Sequence, residues 1–194
     1  MLRIILVIII SLKFGICLNA QTNIEFYPKM LQNELFGKIG QNAKLIELKI
    51  DELSLDQIYL GKYFKVSSIS PDSNLKYVYV GRVKTCRAGG CLIKANPQND
   101  TESEYFDYFI LYDASIAVQL VKIFNYHATH GHEVSAKNWL KQFKGYKGDT
   151  DLIPGKNVDA ISGATISVDA LTFDIYHKTG ILVETLNCKT AKNL

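Results

Sequence analysis

The segment Asp159-Ala160-Ile161-Ser162-Gly163-Ala164-Thr165 places a hydroxyl group directly before a stretch with helical periodicity. We predict a helix that begins near Ser167, because the residues that follow have the spacing i, i+3, i+4 and i+7 of a single apolar helical stripe. These residues are Val168, Leu171, Thr172 and Ile175. The first-turn amides of such a helix lack partners inside it, and its dipole adds positive charge, so an anion held at Thr165 would be stabilised. These residues indicate a phosphate site. The alternative explanation for the same residues is an ordinary helix start, with Ser162 or Thr165 as the N-cap.

The same segment resembles the flavin-attachment motif of the FMN-binding domain found in the C and G subunits of the Nqr and Rnf sodium-pumping and electron-transport complexes. That pattern is Asp, two residues, Ser or Thr, Gly, Ala and then Thr or Ser, and it is matched here by Asp159, Ser162, Gly163, Ala164 and Thr165. The resemblance implies that a flavin transferase esterifies the Thr165 hydroxyl with the phosphate of FMN. It also implies that Asp159 belongs to the recognised sequence, while the small side chains at Gly163 and Ala164 leave room for a bulky ligand.

The resemblance extends over about residues 76–180. In the family, two core strands precede a loop that reads roughly Glu-Thr-Pro-Gly-Leu-Gly, and a short helix with Gln-Phe follows. Here residues 127–133 form that loop; Thr129 and Gly131 match it, whereas Ala128 and His130 replace the Glu and the Pro.

Other side chains near the motif are candidate cofactor contacts. Lys156 is a candidate counter-charge for the phosphate, although an exposed lysine near a turn is more often only solvated. Trp139 or Phe143 would pack on the flavin rings or, as is commoner in a short amphipathic helix, in the core. His127 and its loop would lie beside the flavin, where an imidazole can donate a hydrogen bond.

Three histidines, His127, His130 and His132, lie within six residues. Their imidazoles would converge on zinc or copper if the loop folded back on itself. We favour a polar loop beside the cofactor, because Glu133 alone adds a further ligand at close spacing, and we assign no metal residue.

Cys86 and Cys91 are close enough in sequence to form a disulfide in an exported protein, with Gly89 and Gly90 providing the tight turn. Covalent haem attachment is excluded, because it requires Cys-x-x-Cys-His. Cys188 is left over near the carboxyl terminus.

The amino terminus indicates export. Arg3 precedes the apolar run Ile4–Ile10, a second apolar patch follows, and the small residue Ala20 provides a cleavage site, so we interpret residues 1–20 as a signal peptide. A retained anchor is the alternative, but Lys13 interrupts the run before it reaches the roughly 20 residues of a spanning helix. We expect a periplasmic or cell-envelope protein, either free or associated with the membrane.

Composition predicts one globular domain. The chain is 47% hydrophobic, and its formal net charge is only +3, so nothing indicates a nucleic-acid partner. We expect residues 21–75 to form an N-terminal extension that packs on an FMN-binding domain at residues 76–194.

The pattern of elements predicts an α+β fold, mainly an antiparallel sheet with a few short helices. Residues 22–42 can hold a helix, and Ser135 is a candidate cap for a short helix that carries Trp139 and Phe143. Alternating or strongly apolar runs predict strands at residues 46–50, 63–67, 77–84, 106–112 and 118–126.

Together these features predict an exported electron-transfer flavoprotein that carries FMN on Thr165. It would relay electrons between a membrane or periplasmic reductase and another redox partner. We expect a carrier or a subunit of an oxidoreductase more than a stand-alone enzyme, because no second nucleotide-binding Gly-x-Gly-x-x-Gly motif is present. The alternative is a non-redox envelope module that binds a small molecule or metal through the His127–His132 loop.

Overall fold

The computed structural model describes residues 23–40, 43–50, 61–67, 74–85 and 104–191. The predicted signal peptide at residues 1–20 and the predicted disulfide between Cys86 and Cys91 lie outside the described residues.

A five-stranded antiparallel sheet forms the centre of the fold, and its strands follow one another in chain order. The α+β class expected from the sequence is confirmed, as are all five predicted strands to within a few residues. The strands are β1 (Lys44–Leu48), β2 (Gly61–Ser67), β3 (Leu75–Thr85), β4 (Glu104–Asp113) and β5 (Val118–Tyr126).

The described helices are α1 (Lys29–Ile39), the four-residue α2 (Lys137–Leu140) and α3 (Thr165–Ala191). At 27 residues α3 is longer than the short helices expected. None of the described helices combines the length and the apolar character that crossing a membrane requires.

The helix predicted to begin near Ser167 is confirmed. Helix α3 begins two residues earlier, at Thr165, because the carbonyl of Ala164 already accepts a hydrogen bond from the amide of Val168 at 2.9 Å. The cap predicted for the short helix is wrong. Ser135 does not cap α2. It ends a 3₁₀ turn at residues 132–135, so the helix starts after Ala136 and receives no side-chain cap.

The sheet is covered on both faces. Three residues of α1, Leu31, Leu35 and Ile39, lie at i, i+4 and i+8 and are buried against the face that carries Phe109 and Leu111 of β4. The opposite face packs against α3, and its β4 members are Phe106, Tyr108, Ile110 and Tyr112. Because both faces of β4 are buried, the strand is almost continuously apolar.

The region expected to be an N-terminal extension contributes directly to this arrangement. Strands β1 and β2 extend the sheet beyond β3, and α1 covers one of its faces. The described residues between 23 and 67 therefore share a sheet and a core with the residues that follow.

The chain after β5 builds the region around the motif. It passes through the loop at residues 127–131 and through α2, and then returns to the first residue of β5: Val118 exchanges hydrogen bonds of 2.8 Å with Gly145 and Tyr146. This return fixes the segment that leads to α3.

Candidate functional site

Thr165 is the first residue of α3, and its side chain is exposed. The turn before it is closed by a 3.1 Å hydrogen bond from the amide of Ala164 to the carbonyl of Ile161. Gly163, within this turn, has φ +82°, a left-handed conformation that favours glycine, and open space surrounds the position of a β-carbon there. The turn therefore leaves Thr165 exposed, with open space beside Gly163.

The buried stripe of α3 determines which way Thr165 faces. The predicted residues Val168, Leu171, Thr172 and Ile175 are each at most 1% exposed, and Ala164 is also buried. Because these residues turn one side of the helix towards the sheet, Thr165, Ile166 and Asp169 remain on the exposed side.

The main chain of Asp159 is held from both directions. The indole Nε1 of Trp139 donates a 2.8 Å hydrogen bond to the Asp159 carbonyl, and the Asp159 amide donates a 2.7 Å hydrogen bond to Oε1 of Gln142. The side chain of Asp159 stays exposed. Trp139 thus contacts the motif through its indole nitrogen and the Asp159 backbone, a contact that the sequence did not predict.

Gln142 is a contact that the sequence analysis missed. The available signal was the Gln-Phe pair of the family's short helix, which Gln142 and Phe143 match. Phe143 itself is a core residue with 1% exposure, and its ring makes a T-shaped contact with Trp139, with 5.4 Å between the ring centroids.

The loop at residues 127–133 reaches the first turn of α3 through Gly131. A β-carbon added to Gly131, whose φ is +82°, would lie 2.4 Å from Oγ of Ser167. The hydroxyl of Tyr126 donates a 2.6 Å hydrogen bond to the His130 carbonyl and lies 3.3 Å from the same Ser167 oxygen. Gly131 therefore lies against the first turn of α3, two residues after the motif. Ser167 was predicted only as a residue near the helix start, and no local signal predicts its contact with Gly131.

His127 and Thr129 make different contacts. The ring of His127 stacks on Tyr105 with a 4.8 Å centroid separation, and the hydroxyl of Thr129 donates to the carboxylate of Glu104. Among the described residues, these contacts join the two side chains to the start of β4 and not to the motif.

The described histidines do not form a metal centre. The ring of His132 makes a T-shaped contact with Tyr126. No group of three His, Cys, Asp or Glu side chains in the described parts of the chain is placed to hold a metal ion.

The electrostatics at the start of α3 favour an anion. The first turn of α3 contains no acidic residue, so the positive end of the helix dipole is not neutralised there. Lys156 is exposed in the turn that precedes Asp159. Burial raises the pKa of Tyr126, as do Glu133 and Glu104, while the Ser167 hydrogen bond partly offsets the rise, so the Tyr126 hydroxyl remains a protonated donor at neutral pH.

No protein-family model matches the chain, and no curated protein matches it in sequence. The likeness to FMN-binding domains therefore depends on residues 159–165 and on the weaker matches in the preceding loop and short helix.

Proposed function

We propose that this protein is an electron-transfer flavoprotein that carries FMN through a phosphodiester bond on Thr165. The observation that supports the proposal best is the position of Thr165. This exposed residue begins a 27-residue helix and lies two residues after a left-handed glycine with open space beside it.

The residues fit the charge of a phosphodiester. The ester carries one negative charge, and the first-turn amides and dipole of α3 would stabilise it next to Thr165. Lys156 is the basic residue nearest in sequence before the motif and would add counter-charge. No acidic residue in the first turn of α3 opposes this arrangement.

The chain's own residues would attach and orient the group. Thr165 would hold it covalently, Ala164 anchors the helix start in the core, and the contact between Gly131 and Ser167 keeps the preceding loop against the same turn. When bound, FMN would supply reversible one- and two-electron chemistry.

We propose a relay role between a membrane or periplasmic reductase and another redox partner. A covalent bond keeps the local concentration of cofactor high where free FMN would be dilute. This benefit applies to an exported protein, so the proposed attachment and the proposed signal peptide support the same role.

Mass spectrometry tests the attachment. The protein would be coexpressed with a flavin transferase, and the peptide that contains Thr165 should carry the mass of FMN. Thr165→Val should abolish the adduct because it removes the hydroxyl, and Thr165→Ser should keep it. Thr150→Val, at another exposed threonine, should leave the adduct unchanged. An unmodified wild-type peptide would overturn the proposal.

A further inference from the structure

Trp139 and Gln142 hold the two polar backbone groups of a single residue, Asp159. Trp139 donates to its carbonyl at 2.8 Å and Gln142 accepts from its amide at 2.7 Å. The two side chains are three residues apart across α2 and the following 3₁₀ turn, which places them on the same face. Fixing both groups orients the backbone of Asp159 and the Cα–Cβ bond from which its side chain projects.

The orientation of the Gln142 side-chain amide leaves one polar group unpaired, and this loss of stability requires an explanation. Its Oε1 faces the Asp159 amide, and its Nε2 is buried with no hydrogen-bond partner among the described residues. A buried unpaired donor destabilises a fold. Methionine or leucine would fill similar space without an unpaired donor. What glutamine adds is the oxygen that accepts the hydrogen bond from the Asp159 amide.

We propose that the flavin transferase recognises the motif in its folded form, and that Trp139 and Gln142 are the positioning residues that hold Asp159 in the recognised conformation. The inference rests on the proposed attachment of FMN to Thr165. It adds that residues 159–165 are a poorer substrate as a free sequence than as part of this fold.

The modification step balances without a redox change. The Thr165 oxygen forms a bond to the flavin phosphorus of a flavin dinucleotide, and the phosphorus–oxygen bond of its pyrophosphate breaks. The Thr165 proton passes to a base of the transferase, and the nucleoside monophosphate leaves with the electron pair. Trp139 and Gln142 take no part in these bonds, so they act through Asp159.

The proposal predicts an effect on KM. If Asp159 is released, the competent conformation occupies a smaller fraction of the molecules, and apparent affinity falls in proportion to that fraction. We expect Trp139→Phe and Gln142→Met each to raise the KM for the acceptor protein about 10-fold with little change in kcat. Gln142→Glu keeps an oxygen acceptor, so its KM should stay close to the wild-type value.

The experiment uses purified full-length apo-protein, a flavin transferase and flavin adenine dinucleotide, and it follows flavin incorporation at a series of acceptor concentrations. Asn138→Ala, an exposed change on α2, is the matched control and should behave as wild type. A synthetic peptide that spans residues 155–171 is the acceptor without a fold. Circular dichroism and thermal melting establish that each variant is folded at the assay temperature.

The outcomes separate this inference from the proposed function. Raised KM in the two variants, recovery in Gln142→Glu and poor modification of the peptide are the expected results. If the wild type is modified but the variants or the peptide are modified equally well, the positioning role is wrong and the attachment site stands. If the wild type itself receives no flavin, the proposed function fails first. A variant that unfolds leaves the peptide comparison to decide.

Discussion

Gly131 lies so close to Ser167 that a β-carbon at Gly131 would be 2.4 Å from the serine Oγ and 3.0 Å from its Cβ. Ser167 is itself 4% exposed and lies in the first turn of α3. The absence of a side chain at Gly131 therefore allows the loop after β5 to pack against the helix that begins with Thr165.

Gly131→Ala should destabilise the protein more than Gly155→Ala. Both glycines have positive φ, +82° and +76°, but open space surrounds the β-carbon position at Gly155. We expect a loss of about 2–5 kcal/mol in the free energy of unfolding at Gly131, from strain and overpacking, and about 1–2 kcal/mol at Gly155, from strain alone. Urea denaturation measures both. Equal losses would show that the contact with Ser167 has no energetic importance.

Arg82→Met should be strongly destabilising. Arg82 makes two hydrogen bonds to the carboxylate of Asp107, at 2.6 and 2.9 Å, and Asp107 is 1% exposed. Removing the cation leaves a buried carboxylate with the amide of Asn125 as its remaining donor among the described residues, at a cost of about 3–5 kcal/mol. Chemical denaturation should detect it.

Lys62→Met is the control for that change, because the Lys62–Glu47 pair is exposed. An exposed ion pair contributes about 0–1 kcal/mol. Similar losses for the two variants would contradict the importance of burial.

Two buried tyrosines should respond in opposite ways to replacement by phenylalanine. The Tyr79 ring crosses the Gly61–Gly81 pair, and its hydroxyl is buried with no hydrogen-bond partner among the described residues. Tyr79→Phe should leave stability unchanged or raise it, because it removes an unpaired polar group.

Tyr108→Phe should instead cost about 1.5–3 kcal/mol, because the Tyr108 hydroxyl donates a 2.6 Å hydrogen bond to Asp174. Burial raises the pKa of Tyr108 well above its ordinary value, and the charge of Asp174 adds to the rise, so the donor stays protonated. Thermal melting of the two variants side by side is the test. A larger loss for Tyr79→Phe would contradict the assignment.

Asp113 should make the fold sensitive to acid. Burial raises its pKa, but hydrogen bonds from Ser115, Ala117 and Gln119 outweigh burial and hold the pKa below its ordinary value. Because the folded pKa is the lower one, the stabilisation is present above the unfolded pKa of about 3.9 and is lost as pH falls through the folded value.

The test for Asp113 is the free energy of unfolding measured from pH 7 down to pH 2. Asp113→Asn should lower stability at pH 7 by about 1–3 kcal/mol and flatten the decline in acid. Asp149→Asn, at an exposed carboxylate, should keep the wild-type profile. If Asp113→Asn loses as much stability in acid as the wild type does, other groups are responsible for the acid sensitivity.

Much of the fold follows from local patterns. Val168, Leu171 and Ile175 recur at helical spacing, and they are buried as that spacing predicts. The five strands follow from apolar runs and alternation in the same way. The predicted start of α3 was two residues late, because the carbonyl of Ala164, the last residue of the preceding turn, already accepts the first helical hydrogen bond.

The sequence alone determined the identity of the motif residues, the periodicity of α3 and the positions of the strands along the chain, because these depend on neighbours within one turn or one strand. Tertiary structure alone decided that Trp139 and Gln142 hold Asp159, across 20 and 17 residues of chain, and that Gly131 meets Ser167. Local periodicity contains no information about such contacts. They form when the segment after β5 folds back onto Val118 and brings α2 to the start of α3.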